Sequence, residues 1–150
     1  MPKALSEVPA FLDKEWIATI ATVDRRGEPH AVPVWFTFDD GKLHVHTDRN
    51  SVKIRNIQHN PHVSMAVYNA HDEAVIIRGR ARLVDDEKEF RRLTQAHIDK
   101  YNRLYNITRS TSGIDYIKLD AQGRDSIGIP LFDFQVRCVI EVTPEKTLFW

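Results

Sequence analysis

Hydrophobic and polar positions divide the chain into segments with β-strand or helical patterns. Residues 16–23 are apolar and rich in β-branched side chains, with no polar face, as expected of a strand covered on both sides. Five further segments with strand-like composition follow, each bounded by turn residues. They are residues 29–38, 42–47, 62–68, 74–84 and 132–142. The pattern therefore predicts six strands, the first three forming a meander joined by tight turns.

Three other segments have helical periodicity. Apolar residues recur at helical spacing in residues 4–12. Residues 51–58 are predicted to form a two-turn helix that ends before Pro61, with Asp48, Asn50 or Ser51 as its cap. A longer helix begins after Asp85 or Asp86, and its apolar stripe consists of Phe90, Leu93, His97, Tyr101 and Leu104.

Residues 105–130 have no clean period and contain three glycines, which predicts a long connection. A connection of this length is typical of a binding or lid segment, and disorder is equally consistent with it. Six strands on tight turns, with helices only at the margins, predict a mainly β fold, an antiparallel barrel with flanking helices. The length of 150 residues predicts that residues 1–150 form a single domain.

Composition narrows the class of protein further. Lys and Arg (21) balance Asp and Glu (21), which disfavours a general nucleic-acid partner. No apolar run is long enough for a membrane span, and the first residues lack the features of a signal peptide, so we expect a cytoplasmic protein. Cys138 is the single cysteine, which excludes an intramolecular disulfide and a cysteine-based zinc site. These features favour a protein that binds a small molecule or associates with a partner.

One segment combines residues suited to binding an anion. Thr47 and Ser51 place two hydroxyl groups around a turn, and Lys53 lies in the first turn of the helix that follows. Free backbone N–H groups and the positive end of the helix dipole also lie at that position. A capped surface helix with a solvated lysine is the alternative interpretation.

The order of these segments resembles the pyridoxamine 5′-phosphate oxidase-like family of FMN-binding split β-barrels. The resemblance covers residues 16–84 well and the last strand, residues 137–144, more loosely. It is carried by residues 16–23 and 27–36 as the opening hairpin, His46-Thr47, Ser51-Val52-Lys53, Asn56, Asn60-Pro61 and Arg78-Gly79-Arg80-Ala81.

The resemblance implies a six-stranded antiparallel split barrel that binds FMN. Residues matching the strand beside the flavin ring are Val32, Pro33, Val34, Trp35 and Phe36. Residues matching other cofactor contacts are His46 and Thr47, with Ser51, Val52 and Lys53 at the phosphate. Members of the family are usually homodimers with cofactor sites in the interface, so a second copy of the chain and a small-molecule substrate are the expected partners.

Departures from the family pattern bear on the reaction. Ala74 stands where the oxidase has a glutamine that reaches the flavin, and the oxidase's C-terminal Trp…Arg-x-His segment is missing. We therefore expect an FMN-dependent oxidoreductase that transfers a hydride to or from another small substrate. One alternative is a deazaflavin-dependent reductase whose acidic cofactor tail binds Arg78, Arg80 and Arg82. The other is a non-catalytic protein that binds flavin or haem.

Histidines do not predict a metal site. His44 and His46 supply two ligands on one strand face, whereas a catalytic zinc needs about three. His97 on its apolar stripe is interpreted as a packing residue with its polar atoms satisfied, and Cys138 as inert packing.

Overall fold

The computed structural model describes residues 2–150. Within that range the chain forms seven strands, three α-helices and a 3₁₀ turn at Leu5–Glu7. The strands are β1 (Ala18–Val23), β2 (Pro29–Val34), β3 (Thr37–Asp39), β4 (Lys42–Asp48), β5 (His62–Tyr68), β6 (Ala74–Leu83) and β7 (Arg137–Phe149). The helices are α1 (Val8–Lys14), α2 (Val52–His59) and α3 (Glu87–Arg109). None of the helices in residues 2–150 is both long and apolar enough to cross a membrane.

The strands form one antiparallel sheet in the order β2-β1-β5-β6-β7-β4-β3. Its two edge strands, β2 and β3, are separated along the chain only by Trp35 and Phe36. Three residue steps span at most about 11 Å, so the sheet must curl until its edges lie close together. The mainly β, antiparallel split barrel predicted from the sequence is confirmed.

The predicted strand count and meander are wrong at one position. Residues 29–38 were expected to form one strand, but the chain leaves the sheet at Trp35 and re-enters it on the opposite edge. The Phe36 amide donates to the Tyr101 hydroxyl (2.8 Å), and the Phe36 carbonyl accepts from the Lys100 ammonium (2.9 Å). These side chains of α3 replace the backbone partners of a continuous strand, so seven strands form instead of six.

The last strand also differs from its prediction. It was expected to span residues 132–142, but it begins at Arg137 and continues to Phe149, past Pro144. Pro144 is tolerated because the pairing of β6 with β7 is irregular between Arg78 and Gly79. Gly79 is required there, since a side chain would collide with the carbonyl oxygen of Thr143.

The helix boundaries follow from their caps. Ser51 caps α2 through its hydroxyl, which accepts from the Ile54 amide, and Asn56 anchors the helix to β1 by a buried bond to Thr22 (2.9 Å). Asp86 caps α3, which extends to Arg109, beyond the end of the predicted stripe. A left-handed Ser110 ends it.

The barrel interior forms the main hydrophobic core. Its fully buried side chains include Ile20, Leu43, Val45, Met65, Ile77 and Ile140. Cys138 is buried in the same core, and burial raises the pKa of its thiol, in agreement with the packing role predicted for it. Helix α3 packs outside β3, β4 and β7, and this leaves a cleft between the barrel wall and the chain that follows α3.

Candidate functional site

A cleft of about 690 Å³ lies where β2, β4, β7 and the start of α2 meet. Its outer side is formed by residues of the connection between α3 and β7, among them Tyr116, Ile117 and Ile127. Small-molecule sites usually occupy roughly 300–1,000 Å³, so the cleft is large enough for a cofactor.

One part of the cleft is cationic. Lys53 is half-buried and forms no ion pair or hydrogen bond within residues 2–150. Burial and the nearby Arg137 guanidinium lower the pKa of Lys53. Arg137 reaches the same cleft from β7, and its Nε atom is buried without a hydrogen-bond partner. Two cations held close together without an ion-pair partner are suited to an anionic ligand.

Two carboxylates lie nearby and partly offset the charge of this pair without forming a salt bridge to it. Asp48 and Asp125 both line the cleft and act on Arg137 through space. Asp48 Oδ1 accepts from the Asn50 amide (2.7 Å), and Asp125 Oδ1 accepts from the amides of Ile127 and Ile129 (3.0 and 2.9 Å). Each carboxylate therefore binds its own turn through one oxygen, and neither lies within salt-bridge distance of Lys53 or Arg137.

His46 positions Arg137. Its Nε2 atom lies 2.8 Å from the Leu131 carbonyl, which can only accept, so Nε2 carries the proton. Nδ1 is then free to accept from Arg137 Nη2 at 3.1 Å. Burial and the Arg137 charge lower the pKa of His46 to about 4, which keeps the ring neutral at pH 7.

The other part of the cleft is aromatic. Trp35, at the break between β2 and β3, stacks on Tyr101 with ring centroids 4.2 Å apart. His97 and Tyr116 lie next to Trp35, each about 6.1 Å from it between ring centroids. The ring centroids of His46 and His97 lie 5.6 Å apart, so His46 connects the aromatic part of the cleft to the cationic part.

The connection after α3 is a wall of the cleft. Asn102 fixes it by accepting from the Ile117 amide (2.7 Å), and Asn106 contacts Ile114 through both its amide nitrogen and its oxygen. Tyr116 stacks on Tyr105 of α3 at 4.7 Å. The connection therefore packs against α3 and lines the cleft, where a binding or lid segment would lie.

The structure brings together seven of the ten cofactor residues predicted from the sequence. Those that line the cleft are Pro33, Val34, Trp35, His46, Thr47, Ser51 and Lys53. Val32 is half-buried against the core, Phe36 is fully buried, and Val52 is 39% exposed. These last three residues do not line the cleft.

Arg137, His97 and Tyr116 line the cleft but were not predicted as site residues. Arg137 lies opposite Asp48 in the β4–β7 pairing, a contact between segments almost 90 residues apart. His97 was predicted to lie on the apolar stripe of α3 as a packing residue whose polar atoms are satisfied. Its Nδ1 atom is buried without a hydrogen-bond partner, so the part of that interpretation that concerns the polar atoms is wrong.

The three arginines of β6 do not line this cleft. Arg82 donates to Glu141 (2.8 Å), and Arg80 pairs loosely with Glu145 (3.7 Å). Arg78 is exposed beside a separate groove. This arrangement agrees with a solvated outer face rather than with a groove for a cofactor tail.

His44 and His46 separate rather than converge. His44 binds the buried Glu141 carboxylate (3.0 Å), while His46 lines the cleft. Among residues 2–150, no three His, Cys, Asp or Glu side chains are grouped so that they could hold a metal ion.

Lowering the pH from about 6.5 should destabilise the protein through His46 and His97. Their pKa values lie at about 4 and about 3 in the folded protein, mainly because both rings are buried. Unfolded histidines bind a proton near pH 6.5, so the unfolded state gains protons first and the free energy of unfolding falls with pH. Each histidine contributes up to about 1.4 kcal/mol per pH unit in this window.

Urea unfolding at pH 6.5, 5.5 and 4.5 checks this prediction. The His97→Leu variant should lose stability less steeply than the wild type. Parallel slopes for the wild type and His97→Leu would show that His97 titrates normally.

Comparisons with known proteins agree with this architecture. The family model described as pyridoxamine 5′-phosphate oxidase matches residues 4–150. No curated protein matches the sequence. Among solved structures, the conserved hypothetical protein Rv2991 from Mycobacterium tuberculosis has a TM-score of 0.74 at 19% identity, with 99% of this chain and 84% of that one covered.

Two further structures are similar over nearly their whole length. An F420 reductase has a TM-score of 0.61 at 24% identity, with 98% of each chain covered. The haem storage protein HutZ from Vibrio cholerae has a TM-score of 0.67 at 17% identity, with 97% of this chain and 92% of that one covered. At these identities the likeness shows the fold alone.

Proposed function

Because the chain belongs to the pyridoxamine 5′-phosphate oxidase family, we propose that it binds FMN in the cleft and acts as an oxidoreductase. The observation that carries the proposal is the pair of cations, Lys53 and Arg137, which have no ion-pair partner within residues 2–150. A phosphate placed there would also meet the Ser51 hydroxyl and the N-terminus of α2. Charge-assisted bonds of this kind are among the stronger ones in proteins.

The rest of the cleft fits the ring system of a flavin. Trp35 and Tyr116 offer flat aromatic surfaces, and Val34 and Pro33 add apolar contact. The neutral His46 lies between these surfaces and Arg137. A phosphorylated heteroaromatic molecule complements this arrangement, because it has an anion at one end and a planar ring at the other.

The residues would bind and orient the cofactor rather than transfer protons themselves. When bound, a flavin supplies hydride transfer through its own ring. His46 and His97 have pKa values of about 4 and about 3, so neither is a general base at neutral pH. The aromatic wall and the connection after α3 would exclude water from the ring.

The substrate is proposed to differ from that of the family's oxidase. Ala74, which replaces the glutamine expected near the flavin, lies at the start of β6, where it pairs with Tyr68 and Trp150. Ala74 does not line the cleft, so the support for this proposal is the departure from the family's glutamine and not a contact in the cleft. We propose another small molecule as the hydride donor or acceptor.

A second copy of the chain is proposed to complete the site. The outer face of β2, β1 and β5 carries small or apolar side chains, and Ile17 and Tyr68 at its margins are 52% and 69% exposed. Pro33 belongs to that face and also lines the cleft. A copy packed there would close one side of the cleft, and light scattering should then give twice the mass of one chain.

A deazaflavin coenzyme is the second candidate. Its acidic tail needs cations beyond the phosphate site, and a second cleft of about 440 Å³ beside α2 is lined by Arg25, Arg55, Gln58 and His59. Arg25 and Arg55 form no salt bridge within residues 2–150. These two arginines, rather than those of β6, are the proposed contacts for a tail.

Titration of the purified protein with three ligands tests the proposal. FMN should bind at least tenfold more tightly than riboflavin, which has the same ring but no phosphate, because only FMN reaches Lys53 and Arg137. A preference for the deazaflavin coenzyme over FMN would support the second candidate. Equal affinity for FMN and riboflavin would contradict the phosphate site.

A further inference from the structure

His97 is the polar residue of α3 that the packing leaves unsatisfied. Its side chain is only 8% exposed, and its Nδ1 atom is buried without a hydrogen-bond partner. Neither ring nitrogen bonds to a protein group within residues 2–150. The ring packs against Tyr101 (5.0 Å), His46 (5.6 Å) and Trp35 (6.1 Å) between centroids, and it forms part of the cleft wall.

An unsatisfied imidazole is costly at this position. A buried polar group without a partner destabilises a protein, and the neighbouring positions of the same stripe of α3 include Leu93 and Leu104. A leucine would avoid that cost. His97 nevertheless lines the cleft, and its Nε2 atom, which is not fully buried, is the nitrogen that a ligand there could hydrogen-bond.

The ligand group that matches His97 is polar but uncharged. Burial, reinforced by the charges of Lys100 and Arg137, holds the pKa of His97 at about 3, so the ring stays neutral with one donor and one acceptor nitrogen. A phosphate would go instead to Lys53 and Arg137, from which His97 is separated by His46. The carbonyl and ring-nitrogen edge of a flavin or deazaflavin offers both a donor and an acceptor.

We propose that His97 is a binding residue that forms a hydrogen bond with the polar edge of the cofactor ring in this cleft. This inference rests on the proposed function and adds a specific contact for the ring, distinct from the phosphate contacts. The bond would use Nε2, which has no protein partner within residues 2–150, whereas Nδ1 is buried. The free protein is therefore less stable than it could be at His97, and the contact with the cofactor gives the histidine a role that leucine could not fill.

Substitution of His97 by Leu should separate stability from binding. We expect the His97→Leu variant to melt at the same temperature as the wild type or higher, and to bind FMN about tenfold more weakly. His30→Leu is the matched control, because its Nδ1 is also buried without a partner but His30 does not line the cleft. That variant should bind FMN like the wild type.

Two further measurements keep the test decisive if His97→Leu folds poorly. His97→Gln retains a polar group and should recover part of the lost affinity. In ¹⁵N-histidine-labelled wild type, the His97 ring signals should shift when FMN is added, while those of the exposed His62 should not.

The outcomes distinguish this inference from the function on which it rests. Unchanged FMN affinity in His97→Leu, or His97 signals that do not respond to FMN, would overturn the contact while leaving the proposed function intact. A wild type that binds neither FMN nor the deazaflavin coenzyme would overturn both.

Discussion

Replacing Lys53 and Arg137 together by glutamine should weaken FMN binding at least about a hundredfold. Hydrogen bonds to charged groups contribute about 1.5–3 kcal/mol each, and about 1.4 kcal/mol corresponds to a tenfold change in affinity. Each single variant should therefore lose about tenfold to a hundredfold. Flavin fluorescence during titration measures the loss, and riboflavin binding should stay unchanged because riboflavin carries no phosphate.

The fold should tolerate both substitutions. Lys53 and Arg137 repel each other, and burial disfavours the charge of both, so removing one of them relieves repulsion. Lys88→Gln is the matched control, since Lys88 is an exposed lysine of α3 that lies outside the cleft. If FMN affinity fell equally in the Lys88 variant, general charge rather than the cationic pair would explain the binding.

Replacing Tyr101 by phenylalanine should lower the free energy of unfolding by about 2–4 kcal/mol. The Tyr101 hydroxyl accepts from the Phe36 amide (2.8 Å) and lies 2.7 Å from the Trp16 carbonyl, to which it can donate. Without it, the Phe36 amide at the break between β2 and β3 and the Trp16 carbonyl just before β1 each lose a partner, at about 1–3 kcal/mol for a buried group. For a chain of this size the melting temperature should fall by roughly 5–15 °C.

Tyr105→Phe is the control for this variant, because Tyr105 lies on the same helix and its hydroxyl makes no hydrogen bond within residues 2–150. It should melt within about 2 °C of the wild type. Thermal unfolding followed by circular dichroism compares the two. If Tyr101→Phe and Tyr105→Phe melted alike, the backbone at Phe36 would not depend on Tyr101.

Local patterns were enough to predict most elements and one part of the site. Residues 62–68 were predicted as a strand with the boundaries that β5 has, and Ser51 was among the predicted caps of α2. Both depend on neighbouring residues alone. Ser51 and Lys53 lie in the cleft for the same reason, since the start of α2 fixes where they point.

Long-range contacts determine the parts of the fold and of the site that local patterns did not predict. The break at Trp35 is made by Lys100 and Tyr101, more than 60 residues further along the chain, and nothing in residues 29–38 signals it. Arg137 enters the cleft only because β7 pairs with β4, and the pattern of residues 132–142 does not specify that neighbour. The position of Lys53 was therefore predictable from local sequence, whereas that of Arg137 depends on tertiary contacts.

Trp35 and Phe36 take different positions at the break. Phe36 is fully buried in the main core, against which Val34 also packs, and the Lys100 ammonium lies 3.7 Å from its ring centroid. Trp35 takes the position beside the cleft, stacked on Tyr101. The resemblance to the family therefore indicated a segment that lines the cleft, but it did not indicate which of its side chains face the cleft.

We propose that the cleft holds a phosphorylated flavin-type cofactor on Lys53 and Arg137. The visible absorption spectrum of the freshly purified protein, recorded again after saturation with FMN and removal of the excess by gel filtration, tests this proposal. We predict a flavin spectrum at about one FMN per chain in the wild type, and none in the variant with both cations replaced. A haem band in the fresh protein, or equal retention of FMN by the wild type and the double variant, would contradict the account.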